Sequence, residues 1–310
     1  MVIHCPLDAT MNARLIERIS TDSLASVFEK SLGFSIRGDV AHAPWIEFYV
    51  CQTCSLGFFN PSLVGSEDFY RELSRFSWYY LNDKAEYAYA RTLIKPGDAI
   101  LDVGCGSGAF ARRLCGNKYV GLELSRSASQ QAVRQGVEVV SETIEAHAAR
   151  NPERYDIVCA FQVLEHVTNV RDFVRASLDC VKPGGLLLYS VPNTDGFISL
   201  VPNNVLNLPP HHVTWWSTKS LEHLAKCFGV ELFAIEHEIL DEIHRRLYAV
   251  TLMYESLRNF VGVERRLLDT SITSHLLRKA SGLAARLLEK GLIDLRARPL
   301  GHSVTAVYRK

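Results

Sequence analysis

Residues 99–108 read AILDVGCGSG and decide the fold of this chain. A short apolar run, of the kind that forms a buried β-strand, leads through Asp102 to a series of alternating glycines. Glycine adopts positive φ angles without steric cost and lets the backbone approach a ligand closely. In open α/β sheets, ligands bind outside the carboxyl ends of the strands. The stretch therefore predicts a buried strand followed by a ligand-binding turn.

Further apolar runs follow, separated by stretches whose pattern is typical of amphipathic helices. The predicted strands are 99–103, 119–123, 137–140, 155–161, 186–191, 230–236 and 303–309. The predicted helices are 108–115, 125–135, 170–181 and 218–228. Strands that alternate with helices are typical of a parallel sheet covered on both faces, and near-continuous apolar strands fit that burial. We therefore expect an α/β, doubly wound fold.

The glycine turn alone leaves the ligand open. Gly104, Gly106 and Ala109 also satisfy the G-x-G-x-x-G/A pattern of dinucleotide-binding proteins, so a nicotinamide-dependent dehydrogenase is one alternative. Glu123 ends the next predicted strand, where an acid accepts hydrogen bonds from ribose hydroxyls. A nucleoside-containing ligand is therefore expected, and further segments indicate which one.

Four segments in chain order carry a family resemblance. They are LDVGCGSG (101–108), GLELS (121–125), FQVLEHV (161–167) and VKPGGLLLYSVPN (181–193). Together they resemble class I S-adenosylmethionine-dependent methyltransferases, over about residues 96–236 and the terminal strand. The resemblance implies a seven-stranded sheet of order 3-2-1-4-5-7-6, whose antiparallel seventh strand is formed by 301–310. It also implies S-adenosylmethionine as cofactor and methyl transfer as the reaction.

By this resemblance, the cofactor lies along the carboxyl edge of the sheet. Asp102 and the glycines border its methionine part, and Glu123 holds the ribose. Residues 142–144 lie near the adenine, while Phe161 and Gln162 border the sulfonium. The residues predicted to bind the cofactor are Asp102, Gly104, Gly106, Gly108, Glu123, Leu124, Thr143, Ile144, Phe161, Gln162 and His166.

The loop after the fifth strand carries the candidate base. Pro209-Pro210-His211-His212 lies in a stretch that resembles the corresponding region of bacterial sugar methyltransferases, some of which use a histidine there to take a proton from the substrate. His212 matches that histidine best, and His211 is a second candidate. A neutral imidazole is able to take this proton near pH 7. The alternative is that both histidines bond loop carbonyls and shape the pocket.

Two other groups are candidates for the active site. Tyr79 or Tyr80, in an aromatic segment ahead of the first core strand, lines the site in one interpretation and packs on the sheet in the other. Glu165 and His166 form an acid–imidazole pair on paper. In the family that the chain resembles, this pair commonly belongs to the cofactor wall.

The N-terminal cysteines indicate a metal-binding module. CQTCSLGFFNP (51–61) resembles the second half of a zinc ribbon found ahead of some bacterial methyltransferases. A structural zinc ion needs four ligands, but Asp8 stands where the first half would carry its second cysteine. The predicted metal ligands are Cys5, Cys51 and Cys54, with His4 and His42 as further candidates. Structural zinc and a metal-free remnant of the ribbon therefore both remain open.

A helical insertion is expected before the last strand. Its apolar residues recur at helical spacing and form one stripe: Leu276, Leu277, Ala280, Leu283, Ala284, Leu287 and Leu288. Basic residues lie beside the stripe, a pattern that also suits a membrane surface. The alternatives are packing on the body of the protein or on a second subunit of a homodimer.

Composition excludes several classes of protein. The 310 residues carry equal numbers of basic and acidic side chains, which argues against a general nucleic-acid binder. No apolar run approaches the roughly 20 residues of a membrane-spanning helix. The N-terminus lacks the pattern of a signal peptide, so a cytoplasmic protein is expected, in which eight cysteines are too sparse for a disulfide scaffold.

We therefore expect an enzyme with four divisions. They are residues 1–65, a zinc-ribbon-like module; 66–238, the methyltransferase core with its helical lead-in; 239–300, a helical insertion; and 301–310, the last strand. The expected reaction is O-methylation of a sugar or polysaccharide precursor. The alternatives are C-methylation of a nucleotide-linked deoxysugar, methylation of protein, RNA or a quinone, and a non-catalytic partner subunit that binds the cofactor.

Overall fold

A computed structural model describes residues 3–79, 81–114, 116–294 and 298–310. Its strands are β1 (Ala13–Ser20), β2 (Trp45–Cys51), β3 (Gly57–Asn60), β4 (Ala99–Val103), β5 (Lys118–Leu122), β6 (Val139–Val140), β7 (Tyr155–Phe161), β8 (Val181–Pro192), β9 (Thr214–Trp215), β10 (Glu231–Ile239) and β11 (Leu300–Arg309). Its α-helices are α1 (Thr21–Leu32), α2 (Arg37–Val40), α3 (Glu67–Leu73), α4 (Ala85–Leu93), α5 (Arg126–Arg134), α6 (Ile144–Ala148), α7 (Val170–Cys180), α8 (Thr218–Phe228), α9 (Arg245–Val261) and α10 (Ile272–Gly291).

The core is a seven-stranded sheet of order β6-β5-β4-β7-β8-β11-β10. The pairs among β4, β5, β6, β7 and β8 are parallel, and β11 is antiparallel to both β8 and β10. The predicted strand order is confirmed. Apolar side chains of β4, β7 and β8 are buried in clusters on both faces of the sheet, which explains their near-continuous hydrophobic sequences.

One helix prediction next to the glycine turn is wrong. Residues 108–115 were expected to be helical, but over the described part of this range only Ala111–Arg113 forms a helical turn, of the 3-10 type. Gly106 and Gly108 have φ angles of +55° and +76°, which lie outside the right-handed helical region. The turn therefore continues where an amphipathic pattern suggested a helix.

A second sheet combines three N-terminal strands with one short strand from the core. It has the order β1-β2-β3-β9 and is antiparallel throughout. Its last strand, β9, comes from the loop after β8, and Gly57 pairs with Trp215. The N-terminal segment and the histidine loop consequently share one hydrophobic cluster, which includes Phe48, Phe59 and Trp215.

The leucine stripe of α10 packs on the body of the protein only in part, through Leu288, which contacts the hydrophobic cluster around Phe197 and Ala249. The helix buries Ser274, Ser281 and Ala285, while Leu283 and Leu287 are 68% and 79% exposed. The helix packs against α9, where the hydroxyl of Ser274 lies 3.0 Å from that of Tyr254. The interactions expected with a lipid surface or a second subunit stay predictions.

The helices that the structure describes include none with the length and apolar character needed to cross a bilayer.

Candidate active site

The glycine turn after β4 is fixed by its backbone and its neighbours. The amides of Gly104 and Cys105 both donate to the carbonyl of Leu122, at 2.8 and 3.0 Å, which ties the turn to the end of β5. Gly104 has a φ of +74°, and a Cβ there would lie 2.5 Å from a methyl group of Val163. A side chain at this position would therefore meet both backbone strain and a steric clash.

Glu123 lies beneath this turn, directly after β5. Its carboxylate accepts hydrogen bonds from the amides of Gly106, at 2.9 Å, and Ser125, at 2.7 Å. Burial raises the pKa of Glu123, while these amide hydrogen bonds oppose the increase. The acid therefore stands against the glycine turn, in the position that a ribose-binding acid requires.

Asp102 is the buried acid at the end of β4. Its side chain is 2% exposed and accepts a 2.7 Å hydrogen bond from the hydroxyl of Tyr119. Burial raises the pKa of Asp102 to about 7, although this hydrogen bond favours the ionised form. Occupation of the site by a cationic sulfonium compound would favour the carboxylate further.

The remaining predicted cofactor residues lie along the same edge of the sheet. Leu124 is 64% exposed after β5. Thr143 caps α6 by accepting from the amide of Ala146, and Ile144 begins that helix as a buried residue. Phe161 is buried at the end of β7, and Gln162 follows it.

Gln162 connects β7 to the last strand of the sheet. It has a φ of +58°, and its side-chain amide donates to the hydroxyl of Ser303, at 3.2 Å, and to Glu86, at 3.4 Å. The left-handed conformation turns the chain sharply at the carboxyl edge. Glu86 and Ser303 were not predicted, since neither belongs to a segment that carries the family resemblance.

Three histidines form a cluster beside this edge. The ring centroids of His166 and His211 are 4.6 Å apart, those of His166 and His212 are 4.9 Å apart, and those of His211 and His212 are 4.5 Å apart. His211 and His212 are 6% and 7% exposed. The structure thus brings both candidate bases into contact with a residue predicted from the segment after β7.

The tautomer of each ring follows from its partner. Nδ1 of His166 donates to the carbonyl of His211 at 2.5 Å, and Nδ1 of His211 donates to the carbonyl of Leu206 at 2.7 Å. Nδ1 of His212 bonds the side-chain oxygen of Asn207 at 3.0 Å. Because these oxygens accept hydrogen bonds, Nδ1 carries the proton, and in a neutral ring Nε2 has the lone pair.

Burial keeps these rings neutral. It lowers the pKa of His166 to about 4, despite the bond to a carbonyl, and it lowers the pKa values of His211 and His212 well below their usual range. The proximity of the rings lowers the pKa values of His211 and His212 further, because each charged ring would repel its neighbours. Each ring is consequently neutral at neutral pH, with an unprotonated Nε2.

Glu165 lies between two of the histidines. Its side chain is 1% exposed, and within the described part of the chain neither carboxyl oxygen has a hydrogen-bond partner. Oε1 is 3.9 Å from Nε2 of His166 and 3.9 Å from Nε2 of His212. Burial raises the pKa of Glu165 to about 8, so the carboxyl is largely protonated at neutral pH.

Two tyrosines complete the cluster. The hydroxyl of Tyr79 donates to Nε2 of His211 at 3.1 Å, and the hydroxyl of Tyr70 lies 3.5 Å from Nδ1 of His166. Tyr79 was predicted as a site residue, whereas its alternative, Tyr80, lies outside the described residues. Tyr70 and Asn207 were missed. Their only sequence signals were an aromatic segment and an asparagine-rich loop.

The predicted metal ligands also come together, at a separate location. Cys5, Cys51 and Cys54 are buried near Asp8 in the N-terminal module, and Sγ of Cys5 is 3.6 Å from Sγ of Cys54. Within the described chain, neither His4 nor His42 belongs to this group.

A sheet of this order, with a glycine turn after β4 and an acid after β5, is the fold of S-adenosylmethionine-dependent methyltransferases. The family model of the methyltransferase domain matches residues 75–235. The chain belongs to this family, and its cofactor is S-adenosylmethionine.

Two curated relatives have the same name. The chain is 38% identical over 108 residues to the ubiquinone biosynthesis O-methyltransferase of Klebsiella pneumoniae, which covers 32% of this chain and 45% of the relative. It is 40% identical over 102 residues to the protein of that name from Serratia proteamaculans, which covers 30% of this chain and 42% of the relative. The chain therefore spans less than half the length of these relatives.

A solved structure is similar over most of the chain. The S-adenosylmethionine-dependent methyltransferase from Archaeoglobus fulgidus superposes with a TM-score of 0.51 at 16% identity, covering 79% of this chain and 100% of the other. At this identity, the likeness supports the fold.

Proposed function

We propose that this enzyme transfers the methyl group of S-adenosylmethionine to a hydroxyl oxygen, and that His212 takes the hydroxyl proton. The observation that carries the proposal is the buried, neutral state of His212, whose Nδ1 bonds Asn207 and whose Nε2 lies 3.9 Å from Glu165. A fixed tautomer with an available lone pair is what a general base requires.

The protein residues would divide the work as follows. When bound, the cofactor supplies an electrophilic methyl group on a sulfonium. Asp102 and the glycine turn would border its methionine part, and Glu123 would hold its ribose. Positioning of the two reactants by such residues supplies a large part of the rate enhancement in reactions of this kind.

Proton removal belongs to the histidine cluster. His212 accepts the hydroxyl proton through Nε2, and the positive charge on its ring would favour ionisation of the Glu165 carboxyl group, which lies 3.9 Å away. Tyr79 holds His211 through its hydroxyl, and His211 holds His166 through its backbone carbonyl. Burial of the cluster excludes water that would compete for the base.

A sugar hydroxyl is the acceptor that we propose. Such a hydroxyl is a weak acid, so it benefits from a base placed in the site. The resemblance of the histidine loop to the corresponding region of bacterial sugar methyltransferases supports this acceptor. The printed name of the relatives favours a second candidate, the phenolic hydroxyl of a quinone precursor. A phenol, with a pKa near that of tyrosine at about 10, depends less on the base.

The test uses methyl-labelled S-adenosylmethionine with two acceptor panels, one of nucleotide sugars and free sugars and one of catechols and related phenols. We expect label in a sugar, with the loss of one proton per transfer and little label when His212→Ala replaces the native chain. Label confined to phenols would replace the acceptor class. Label on carbon or nitrogen would contradict transfer to a hydroxyl.

A further inference from the structure

The N-terminal module contains two turns with the same backbone hydrogen bonds. In the first, the amide of Cys5 donates to the carbonyl of Thr10, and the amide of Ala9 donates to the carbonyl of Cys5, both at 2.9 Å. In the second turn, the amide of Cys51 donates to the carbonyl of Leu56, and the amide of Ser55 donates to the carbonyl of Cys51, again both at 2.9 Å. The two turns are therefore backbone copies of one another.

The copies also agree in their conformation. Ala9 and Ser55 are the fifth residues of their turns, and they have φ angles of +59° and +64°. Left-handed conformations are uncommon outside glycine, so their recurrence at matching positions is a specific similarity. The alignment of the two turns puts Asp8 at the position that Cys54 occupies in the second.

The four side chains converge on one point. Sγ of Cys5 is 3.6 Å from Sγ of Cys54, and Sγ of Cys51 is 3.7 Å from Oδ2 of Asp8. The four ligand atoms all lie within 4.8 Å of one another. A tetrahedral zinc ion, with its usual bond lengths to sulfur and oxygen, separates its ligand atoms by about 3.5–3.8 Å.

This spacing does not fit a disulfide. The sulfur atoms of Cys5 and Cys54 are 3.6 Å apart, compared with about 2.05 Å in a disulfide bond. The three thiols are at most 1% exposed. A cluster of thiols and one carboxylate, in two matching turns, has the composition and geometry of a structural metal site.

Asp8 is oriented as a ligand with one free oxygen. Its Oδ1 accepts from the amide of Thr10, at 2.9 Å, and from the hydroxyl of Thr10, at 2.7 Å. Its Oδ2 faces Cys51 and lies 3.4 Å from Nε2 of His223. A carboxylate held in this way presents one oxygen to a metal, and the imidazole of His223 lies beside that oxygen.

We propose that Cys5, Asp8, Cys51 and Cys54 bind one structural zinc ion, with Asp8 as the fourth ligand and the imidazole of His223 beside it. The set leaves no position for water or substrate, which is typical of a structural site rather than a catalytic one. The first turn lacks the second cysteine of the zinc-ribbon pattern, and Asp8 takes its place as the fourth ligand.

The site also joins the module to the methyltransferase core. His223 belongs to α8, and Arg171 of α7 donates to the carbonyl of Leu7, between the first two ligands, at 2.8 Å. Zinc bound here would hold the two turns of the module together and fix them against two core helices. Removal of the zinc ion would loosen this contact between the module and the core helices.

The experiment measures metal content and cobalt absorption of the full chain. We expect one zinc ion per chain, and after replacement by cobalt we expect thiolate charge-transfer absorption with tetrahedral d–d bands. Asp8→Cys should retain the metal and shift the cobalt bands, because a fourth thiolate changes the ligand field. Asp8→Ala should lose zinc to a chelator much faster than the native chain.

Two further variants serve as a test of His223 and as a control. His223→Gln should weaken zinc binding by roughly 10–100-fold, the range commonly seen when a residue in contact with a metal ligand is replaced. Cys180→Ala removes a buried thiol at the end of α7 and should leave zinc content unchanged. Circular dichroism and cofactor binding report whether each variant is folded.

Two results would overturn the proposal. The site itself is refuted if the native chain, produced with ample zinc, holds none and shows no thiolate absorption with cobalt. The role of Asp8 is refuted if Asp8→Ala and Asp8→Cys both give the cobalt spectrum of the native chain. Neither readout depends on the acceptor or on turnover, so failure here is distinct from failure of the proposed reaction.

Discussion

The two halves of the candidate active site are built differently. On the cofactor side, Asp102, Gly106 and Glu123 belong to two short segments, each fixed by hydrogen bonds to the other. On the acceptor side, Tyr79, Glu165 and His212 come from three separate parts of the chain. Local backbone geometry therefore determines the cofactor side, whereas tertiary packing determines the acceptor side.

The halves also differ in how their buried acids are satisfied. Asp102 accepts from Tyr119, and Glu123 accepts from two backbone amides. Glu165 has no hydrogen-bond partner among the described residues. An unsatisfied buried carboxyl is costly for stability, and such groups are frequent at functional sites. The difference suggests that the cofactor side is built for rigidity and the acceptor side for proton transfer.

The largest expected effect concerns the proposed base. His212→Ala should lower turnover roughly 10²–10⁴-fold, since a general base contributes about that much, while cofactor affinity stays unchanged. Turnover and calorimetric binding, measured side by side, separate the two halves of the site. His275→Ala, an exposed histidine on α10, is the matched control. Near-normal turnover of His212→Ala would remove the base role.

The next effect is on the pH dependence of stability. Burial raises the pKa of Glu165 to about 8 in the folded protein, compared with about 4.3 when unfolded. The folded state binds the Glu165 proton more tightly than the unfolded state does. The contribution of Glu165 to the free energy of unfolding is therefore fully present below pH 4.3 and is lost as the pH rises through 8. The side-chain amide of Glu165→Gln does not titrate, so the stability of this variant lacks this dependence on pH.

The variant should therefore gain stability relative to the native chain as pH rises. Between pH 6 and pH 9 we expect a relative gain of about 2–3 kcal/mol, because one pKa unit corresponds to about 1.4 kcal/mol. Urea unfolding at several pH values measures it. Glu222→Gln, at an exposed position on α8, should show no such trend. Parallel stability curves for Glu165→Gln and the native chain would contradict the raised pKa.

A smaller effect is expected on the cofactor side. Glu123→Ala removes an acid proposed to bond the ribose, and a hydrogen bond to a charged group contributes roughly 1.5–3 kcal/mol. Calorimetry should show cofactor affinity reduced about 10–100-fold, at about 1.4 kcal/mol per tenfold. Glu138→Ala, an exposed acid near β6, provides the comparison. Unchanged affinity in Glu123→Ala would exclude the ribose role.

The smallest effect concerns a positioning residue of the acceptor side. Tyr79→Phe removes the 3.1 Å hydrogen bond to His211 and retains the ring. A neutral hydrogen bond contributes roughly 0.5–1.5 kcal/mol, so we expect turnover to fall less than about tenfold, with a shifted pH profile and unchanged cofactor affinity. Trp78→Phe, at the exposed neighbouring position, should leave the pH profile unchanged. An unaltered profile in Tyr79→Phe would indicate that this tyrosine only packs.

The same division explains what the sequence predicts. Apolar runs locate the seven strands of the core, and the glycine turn with Glu123 locates the cofactor side, because these features depend on residues close in sequence. The positive φ angle of Gly108 was not recognised as a helix breaker. The stripe on α10 was recognised by its period, but periodicity does not tell which face another helix covers.

The remaining omissions are contacts that follow no recognisable sequence pattern. Asn207 bonds His212 from five residues earlier in the same loop, and His223 contacts Asp8 from a distant helix. Cys5, Cys51 and Cys54 were predicted to gather, and they do so. Asp8 was noted only as the residue that replaces a cysteine, because the sequence does not show that the two turns have the same backbone conformation.

The pairing of β3 with β9 has a consequence for synthesis of the chain on the ribosome. β3 leaves the ribosome long before β9, so its outer edge stays unpaired while the nucleotide-binding strands are still being made. An unpaired strand edge is prone to aggregation, and closing so distant a pair is slow. β9 directly follows the histidine loop. Pairing of β9 with β3 therefore covers the exposed edge of the N-terminal sheet and also fixes the end of the histidine loop on the acceptor side.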